Sequence, residues 1–405
     1  MQDYDKQVIK TLADLVHFNT VEAPSEGPGA PFGLGVKAAL DYTIDLFDRW
    51  GFRTRNLDGY CGWAEVGEGD LFGVLCHLDT VPLGEGWRFD PLSATIADGK
   101  MFGRGTQDDK GPLVASMYAL KELLDQGKTP KMRIRFIFGC NEETGWQCMD
   151  RYLATEEHPK MAISPDGDFP VINCEKGLGH YELVFDAPKW LVDIKSGFRV
   201  NMVPDKAEAR VVGIADKLGD AASHGVSVRH EGSECILQAT GKSAHGSQPQ
   251  LGENALVKIL SLLVGVDEVA TVLGKALSRT NGSAAGVGFS DDQSGALTLN
   301  AGYARMEDGK VHVGLDIRFP ISFTHDMVTH GLKGAFPFAE VKLVHAHPSL
   351  YLAPDHPLVS NLLDAYEEVM GTRPAPLCIG GATYARALPN AVAFGPVFPG
   401  DEEMC

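Results

Sequence analysis

Three short apolar runs, DLFGVLCHLD, MRIRFIFGCNEE and KMAISPDGDFP, each close on acidic side chains: Asp79, the pair Glu142 and Glu143, and Asp166. A helical stretch, GPLVASMYALKELLDQG, lies between the first two runs, and ahead of them Val36, Leu40, Ile44 and Phe47 mark one face of a helix that ends at Gly51. Strands alternating with helices predict an α/β fold with a mainly parallel sheet and helices on both faces. In an open sheet of this kind the C-terminal strand ends line the binding crevice. Carboxylates from distant stretches are therefore expected to meet there.

With 405 residues, 44% of them hydrophobic, the chain exceeds the ~250–300 residues at which single cores stop growing. From about Gly179 the pattern changes to longer β-like stretches (HYELVFDA, KAEARVVGI, KVHVGLDIRFP) with one helix at Leu256, Ile259, Leu260 and Leu263. After AHPSLYLAPDHP the earlier style returns in LVSNLLDAYEEVMG and CIGGATYAR. This predicts a catalytic domain over 1–178 and 347–405, interrupted by an inserted α+β domain over 179–346.

The balance of 36 basic against 54 acidic residues, formally −18, offers no basic stripe for a phosphate backbone and argues against nucleic acid. The N-terminus spaces Val8, Leu12, Leu15 and Val16 along one helical face and lacks a signal peptide's basic and continuous apolar regions. No apolar stretch approaches the ~20 residues that span a bilayer. The eight cysteines include no CxxC pair, so neither a thiolate metal site nor a disulfide framework is expected, and a reducing, cytoplasmic setting fits.

In HLDTVP, His77 and Asp79 are two apart at a strand end, where period-two geometry points both the same way. The imidazole could bind metal while the carboxylate fixes its ring; equally, an isolated HxD could be a structural histidine with a capping aspartate. In GRGTQDDKGP, Asp109 reads as a helix N-cap. Asp108 reads as a metal ligand, since one carboxylate can bridge two cations ~3.5–4 Å apart. In GCNEETG two adjacent glutamates follow a strand-like run, where burying both would be costly without a compensating cation. As surface charges they would be unremarkable.

Taken together, HxD, GRGxxDDKGP, NEETG and SPDxxFP resemble the co-catalytic metallopeptidase and deacylase family that includes carboxypeptidase G, aminoacylase, succinyl-diaminopimelate desuccinylase and carnosinase. Within it, SPDGDFPVINCEKG, NMVPDKA, TGKSAHGSQP, LDIRFP and GGATYAR look like bacterial PepV-type dipeptidases, and the likeness covers nearly the whole chain. It implies two divalent cations, zinc first, with manganese or cobalt also compatible with a carboxylate-rich site. Asp108 would bridge them, with His77 and Asp166 on one and Glu143 on the other. Asp79 would orient His77, and Glu142 would be the general base. From the inserted domain, acting as a lid, His245 would stabilise the oxyanion, while Asn201 and Arg318 would hold the substrate backbone and its carboxylate. Gly380 and Gly381 match a loop whose N–H groups approach a carboxylate, with Ala382 where the family often has a third glycine.

In that family a segment like FGPVFPGDEEM is followed by a histidine that completes the second metal's ligands. Here Cys405 is the last residue and His356 the last histidine. The expectation is a chain shortened before that histidine, the alternative being an incomplete second site. The expected activity is hydrolysis of dipeptides or short peptides with a free C-terminal carboxylate by a monomer or homodimer. N-acyl amino acid deacylation and non-catalytic binding of peptides or amino acids are the competing readings.

Overall fold

The structure, a computed structural model, describes residues 4–401; Cys405 lies outside them. Contacts divide the chain into two compact units at Asn173/Cys174 and Tyr351/Leu352, and Cys378–Ala382 belongs to the second.

The first unit is built on a mixed sheet. Its strands run in the order Arg53–Leu57, Cys61–Val66, Arg133–Gly139, Leu71–His77, Met161–Ser164 and Ala391–Ala393. The last four pair in parallel, whereas the first two join as an antiparallel hairpin and edge. The parallel centre is the part buried on both faces, as helical crossovers require. Phe136, Phe138, Val74 and Cys76 point to one face, against Leu15, Leu40, Phe47 and Met117 from the helices Tyr4–Val16, Leu34–Arg49 and Lys110–Asp125. The alternate residues turn to the other face. There Arg135 donates to Tyr152 Oη at 3.0 Å on the helix Gln147–Thr155, and Gly139 admits Tyr384, whose Oη would stand 1.9 Å from any Cβ.

Leu71 is level with Arg133, and His77 with Gly139. That register carries straight to the site: both strands stop at the same height, and the segments after them emerge side by side.

The second unit is an eight-stranded antiparallel sheet in the order Val226–Glu231, Glu234–Thr240, Lys206–Val212, Leu191–Ser196, Thr298–Glu307, Lys310–Phe319, Gly177–Asp186 and Glu340–His347. The helices Ala255–Leu262, Glu268–Ala276 and His325–Ala335 cover one face, packing Leu256, Ile259, Leu273 and Leu332 on Leu183, Leu237, Val313 and Leu315. Each such buried side chain contributes ~1.5–3 kcal/mol. All three helices begin with a side-chain cap, from Asn254, Asp267 and Thr324. One sequence expectation is corrected here: Cys174 and Cys378, 204 residues apart, are paired as a disulfide. Their sequence spacing gives no sign of it, because the strand pairing that unites them is long-range.

Among the described residues no helix is long and apolar enough to cross a membrane.

Asp267 accepts from Ala270 N–H at 2.8 Å and from Trp190 Nε1–H at 2.5 Å. Asp267→Ala is therefore expected to lower the unfolding free energy by ~1–2 kcal/mol, read as a lower urea midpoint at unchanged m. An unaltered midpoint would mean that the cap is idle.

Candidate metal centre

His77 ends its strand fully buried. Its Nδ1 lies 3.0 Å from the backbone carbonyl of Asp79. In the neutral ring that contact places the proton on Nδ1 and leaves the Nε2 lone pair aimed outward, the form a metal ligand needs. Nε2 stands 2.9 Å from Asp108 Oδ1 and 3.7 Å from Asp166 Oδ2, yet it makes no aligned hydrogen bond.

The Asp79 carboxylate faces two ways. Its Oδ1 is 3.6 Å from His77 Nδ1, while its two oxygens accept the backbone N–H groups of Glu142 and Glu143, each at 3.0 Å. Both the carbonyl and the carboxylate of Asp79 thus bear on the His77 ring, and the carboxylate also holds the glutamate turn. The expectation for Asp109 is corrected. That residue occupies the N-cap position of the Lys110–Asp125 helix without capping it, and its buried carboxylate instead accepts His77 N–H at 3.0 Å. Sequence spacing could not reveal either contact, since each partner lies on another strand end.

Glu142 and Glu143 occupy a turn just past the strand, and they diverge. Burial, with Asp166, Glu143 and Asp79, raises the Glu142 carboxyl well above the usual range against the opposing pull of His77. Burial and then Asp108 push Glu143 up to about 7. For His77, burial alone would lower the imidazole, but Asp108 and Asp79 outweigh it and hold its pKa well above normal. Asp108, half-exposed, is opposed by burial yet lowered by its contact with His77.

Ligand atoms of His77, Asp108 and Glu143 lie within 4.8 Å of one another, and both His77 Nε2 and Glu143 Oε1 are buried without a hydrogen-bond partner. Buried lone pairs of this kind are costly unless something compensates them. A divalent cation does so, and the residues present fit one. Sequence reading did not single out Tyr384, whose buried ring meets the His77 ring edge-on at 6.1 Å. Its only sequence signal is its place in GGATYAR.

In the second unit His245 is exposed, with Nδ1 2.6 Å from Ser247 Oγ and accepting Ser247 N–H at 3.3 Å. Its neutral ring therefore carries the proton on Nε2. Gly246 N–H donates to Asn201 O at 2.7 Å, so the loops of His245 and Asn201 are joined. Arg318 is buried, with Nε and Nη2 donating to Asp316 at 2.7 and 3.0 Å and Nη1 to Gly380 O at 3.1 Å. That leaves two of its five N–H groups outside these bonds. Gly380 thus engages through its carbonyl, and a Cβ there would meet Ser247 Cβ at 3.4 Å and Ser247 O at 3.6 Å, ordinary contacts, so tight packing is not why glycine stands at this position. Asp316, another residue that sequence reading passed over, lies two before Arg318 on the same strand face.

The sequence profile of "Peptidase family M20/M25/M40" matches residues 73–403. "Putative dipeptidase YtjP" of Bacillus subtilis is 38% identical over 98% of this chain and 90% of its own length. "Putative dipeptidase SH1171" of Staphylococcus haemolyticus is 35% identical over 100% and 92%. Among solved structures, human carnosine dipeptidase 1 shares the fold at a TM-score of 0.54 and 16% identity, over 97% of this chain and 90% of that one.

The raised groups set a sign for pH. A carboxyl lifted from 4.5 to about 7 stabilises the cation-free fold fully below 4.5, and that contribution is lost as pH rises through 7. Glu142 and His77, also raised, act in the same direction. The gap in Tm between cation-loaded and chelated protein should therefore widen between about pH 4.5 and 7. A gap that stays constant over that window would sink this reading of the cluster.

Proposed function

Because the chain belongs to peptidase family M20/M25/M40, as a metallopeptidase that hydrolyses peptide bonds, we propose that it cleaves dipeptides or short peptides with a free C-terminal carboxylate. The observation that carries this reading is the convergence of His77, Asp108 and Glu143, two of them with orphaned buried ligand atoms, beside a half-buried Glu142. The names of these two relatives favour dipeptides over acyl amino acids.

In this proposal His77, Asp108, Glu143 and Asp166 hold two divalent cations, zinc first. Bound there, the cations would make water a nucleophile near neutral pH and polarise the scissile carbonyl. The chain's own residues do the rest. Glu142 takes the proton of the attacking water and passes it to the leaving amine; its raised pKa suits a group that must both accept and release a proton near neutrality. Asp79 keeps Glu142 and Glu143 at fixed height through their N–H groups. His245, with its proton on Nε2, donates to the oxyanion of the tetrahedral species, an interaction class worth several kcal/mol in other hydrolases. Asn201 and the N–H groups of Arg318 that Asp316 and Gly380 leave over hold the substrate backbone and its carboxylate, assisted by the Gly380–Gly381 loop.

Glu142→Ala is expected to abolish turnover with metal content nearly unchanged, while Asp108→Ala loses both. Metal analysis in which Glu142→Ala strips the cations as thoroughly as Asp108→Ala would reverse the assignment. A panel of dipeptides and N-acyl amino acids, with and without added zinc, manganese or cobalt, separates peptidase from deacylase, and absence of turnover on all of them would favour a binding protein.

Carboxylate anchoring is tested best without mutation, because Arg318→Ala would strand Asp316 as a buried charge, at a cost of ~3–5 kcal/mol. The wild type should prefer a dipeptide over its C-terminal amide by the worth of a charge-assisted bond, ~1.5–3 kcal/mol, or roughly 10- to 150-fold in kcat/KM. Equal rates would remove the anchoring role.

A further inference from the structure

On the sheet face of the second unit turned away from its helices, three histidines stand together on two neighbouring strands. His345 and His347 are two apart on the edge strand Glu340–His347, and their Nε2 atoms lie 2.9 Å from each other, with ring centroids 4.5 Å apart. His180, on Gly177–Asp186, is the direct cross-strand partner of His345, and their rings are 5.5 Å apart. The Nε2 of His180 is buried with no hydrogen-bond partner. Asp316 lies 3.9 Å away, where its two carboxylate oxygens are occupied by Arg318. None of the three histidines has a part in the proposed hydrolysis.

We propose that His180, His345 and His347 form a further metal site, selective for a borderline transition ion such as Cu2+, Ni2+ or Zn2+. Period-two geometry puts the two edge histidines on one face, and their nitrogens already have nearly the spacing that two imidazoles take when each binds one ion at ~2.0–2.1 Å. Imidazole ligands suit these ions, and an all-nitrogen set is poor for Mg2+ or Ca2+. Burial first holds His180 and His345 below the ordinary imidazole value, aided by the charge of Arg318 and, at His180, opposed by Asp316. Three protein ligands leave a position for water.

The test is titration of the untagged, metal-free Asp108→Ala chain with Cu2+ and Zn2+ by calorimetry, with the Cu2+ spectrum read by electron paramagnetic resonance. The expected result is about one equivalent bound with nitrogen hyperfine structure. Adding His345→Ala and His347→Ala should weaken it at least about tenfold and remove that signature, and adding His180→Ala alone should also weaken it about tenfold. His345→Gln with His347→Gln, which retains polar side chains on the exposed strand, serves as the second variant, and unchanged unfolding midpoints without metal establish that each variant folds. Equal affinity with and without the edge histidines would overturn the site, and no effect of His180→Ala would overturn the three-ligand form. No readout here depends on peptide turnover, so failure would leave the peptidase reading to the Glu142 and Asp108 variants.

Discussion

Two hydrogen bonds from the Glu142 and Glu143 backbone to the Asp79 carboxylate tie together the ends of two strands that are parallel neighbours in the sheet. The register of those strands brings His77 level with Gly139, and two of the three clustered ligand residues, His77 and Glu143, lie on or within a few residues of that line. A third restraint comes from Asp109, which fixes the backbone of His77. Without these buried acceptors, the turn carrying two glutamates would have no reason to stay beside the histidine, because the charges it brings together repel. The same two bonds satisfy N–H groups that would otherwise be lost to water as the strand ends.

That repulsion is the second organising fact. Glu142, Glu143 and Asp109 are all raised, with burial as the leading cause and neighbouring carboxylates adding to it. A fold that confines so many acids is at odds with itself until positive charge arrives, and bound divalent ions are often the largest local charge in such a site. The orphaned Nε2 of His77 and Oε1 of Glu143 belong to the same account, since both are atoms that could ligate a cation. Stability, cation affinity and pH are thereby coupled in one cluster.

The second unit solves a different problem. Its antiparallel sheet buries one face beneath three helices and leaves the other polar, as such sheets commonly do. On the polar face Asp316 accepts two N–H groups along one edge of the Arg318 guanidinium, and Gly380 O takes a third. An arginine held this way presents its remaining N–H groups in a fixed direction, which favours recognition of a planar carboxylate at little entropic cost. Of the histidines beside it, His180 and His345 are held below the ordinary imidazole value, first by burial.

Much of this was written locally. The alternation of apolar runs and helices predicted an α/β fold, which the mixed sheet of the first unit has, because strand period and sheet topology follow from sequence pattern. Gly51 at a helix end, with φ 82, and the helical faces of Val36, Leu40 and Phe47 were legible for the same reason. What could not be read were partners set by register across the sheet: Asp79 serving glutamates 63 and 64 positions away, Asp109 holding His77, and Cys174 meeting Cys378. Nor could the sequence tell that Gly380 would offer a carbonyl to Arg318. Side-chain identity determines which groups are available as acceptors and ligands, but in this protein long-range strand pairing alone decides which of them stand within 3 Å of each other.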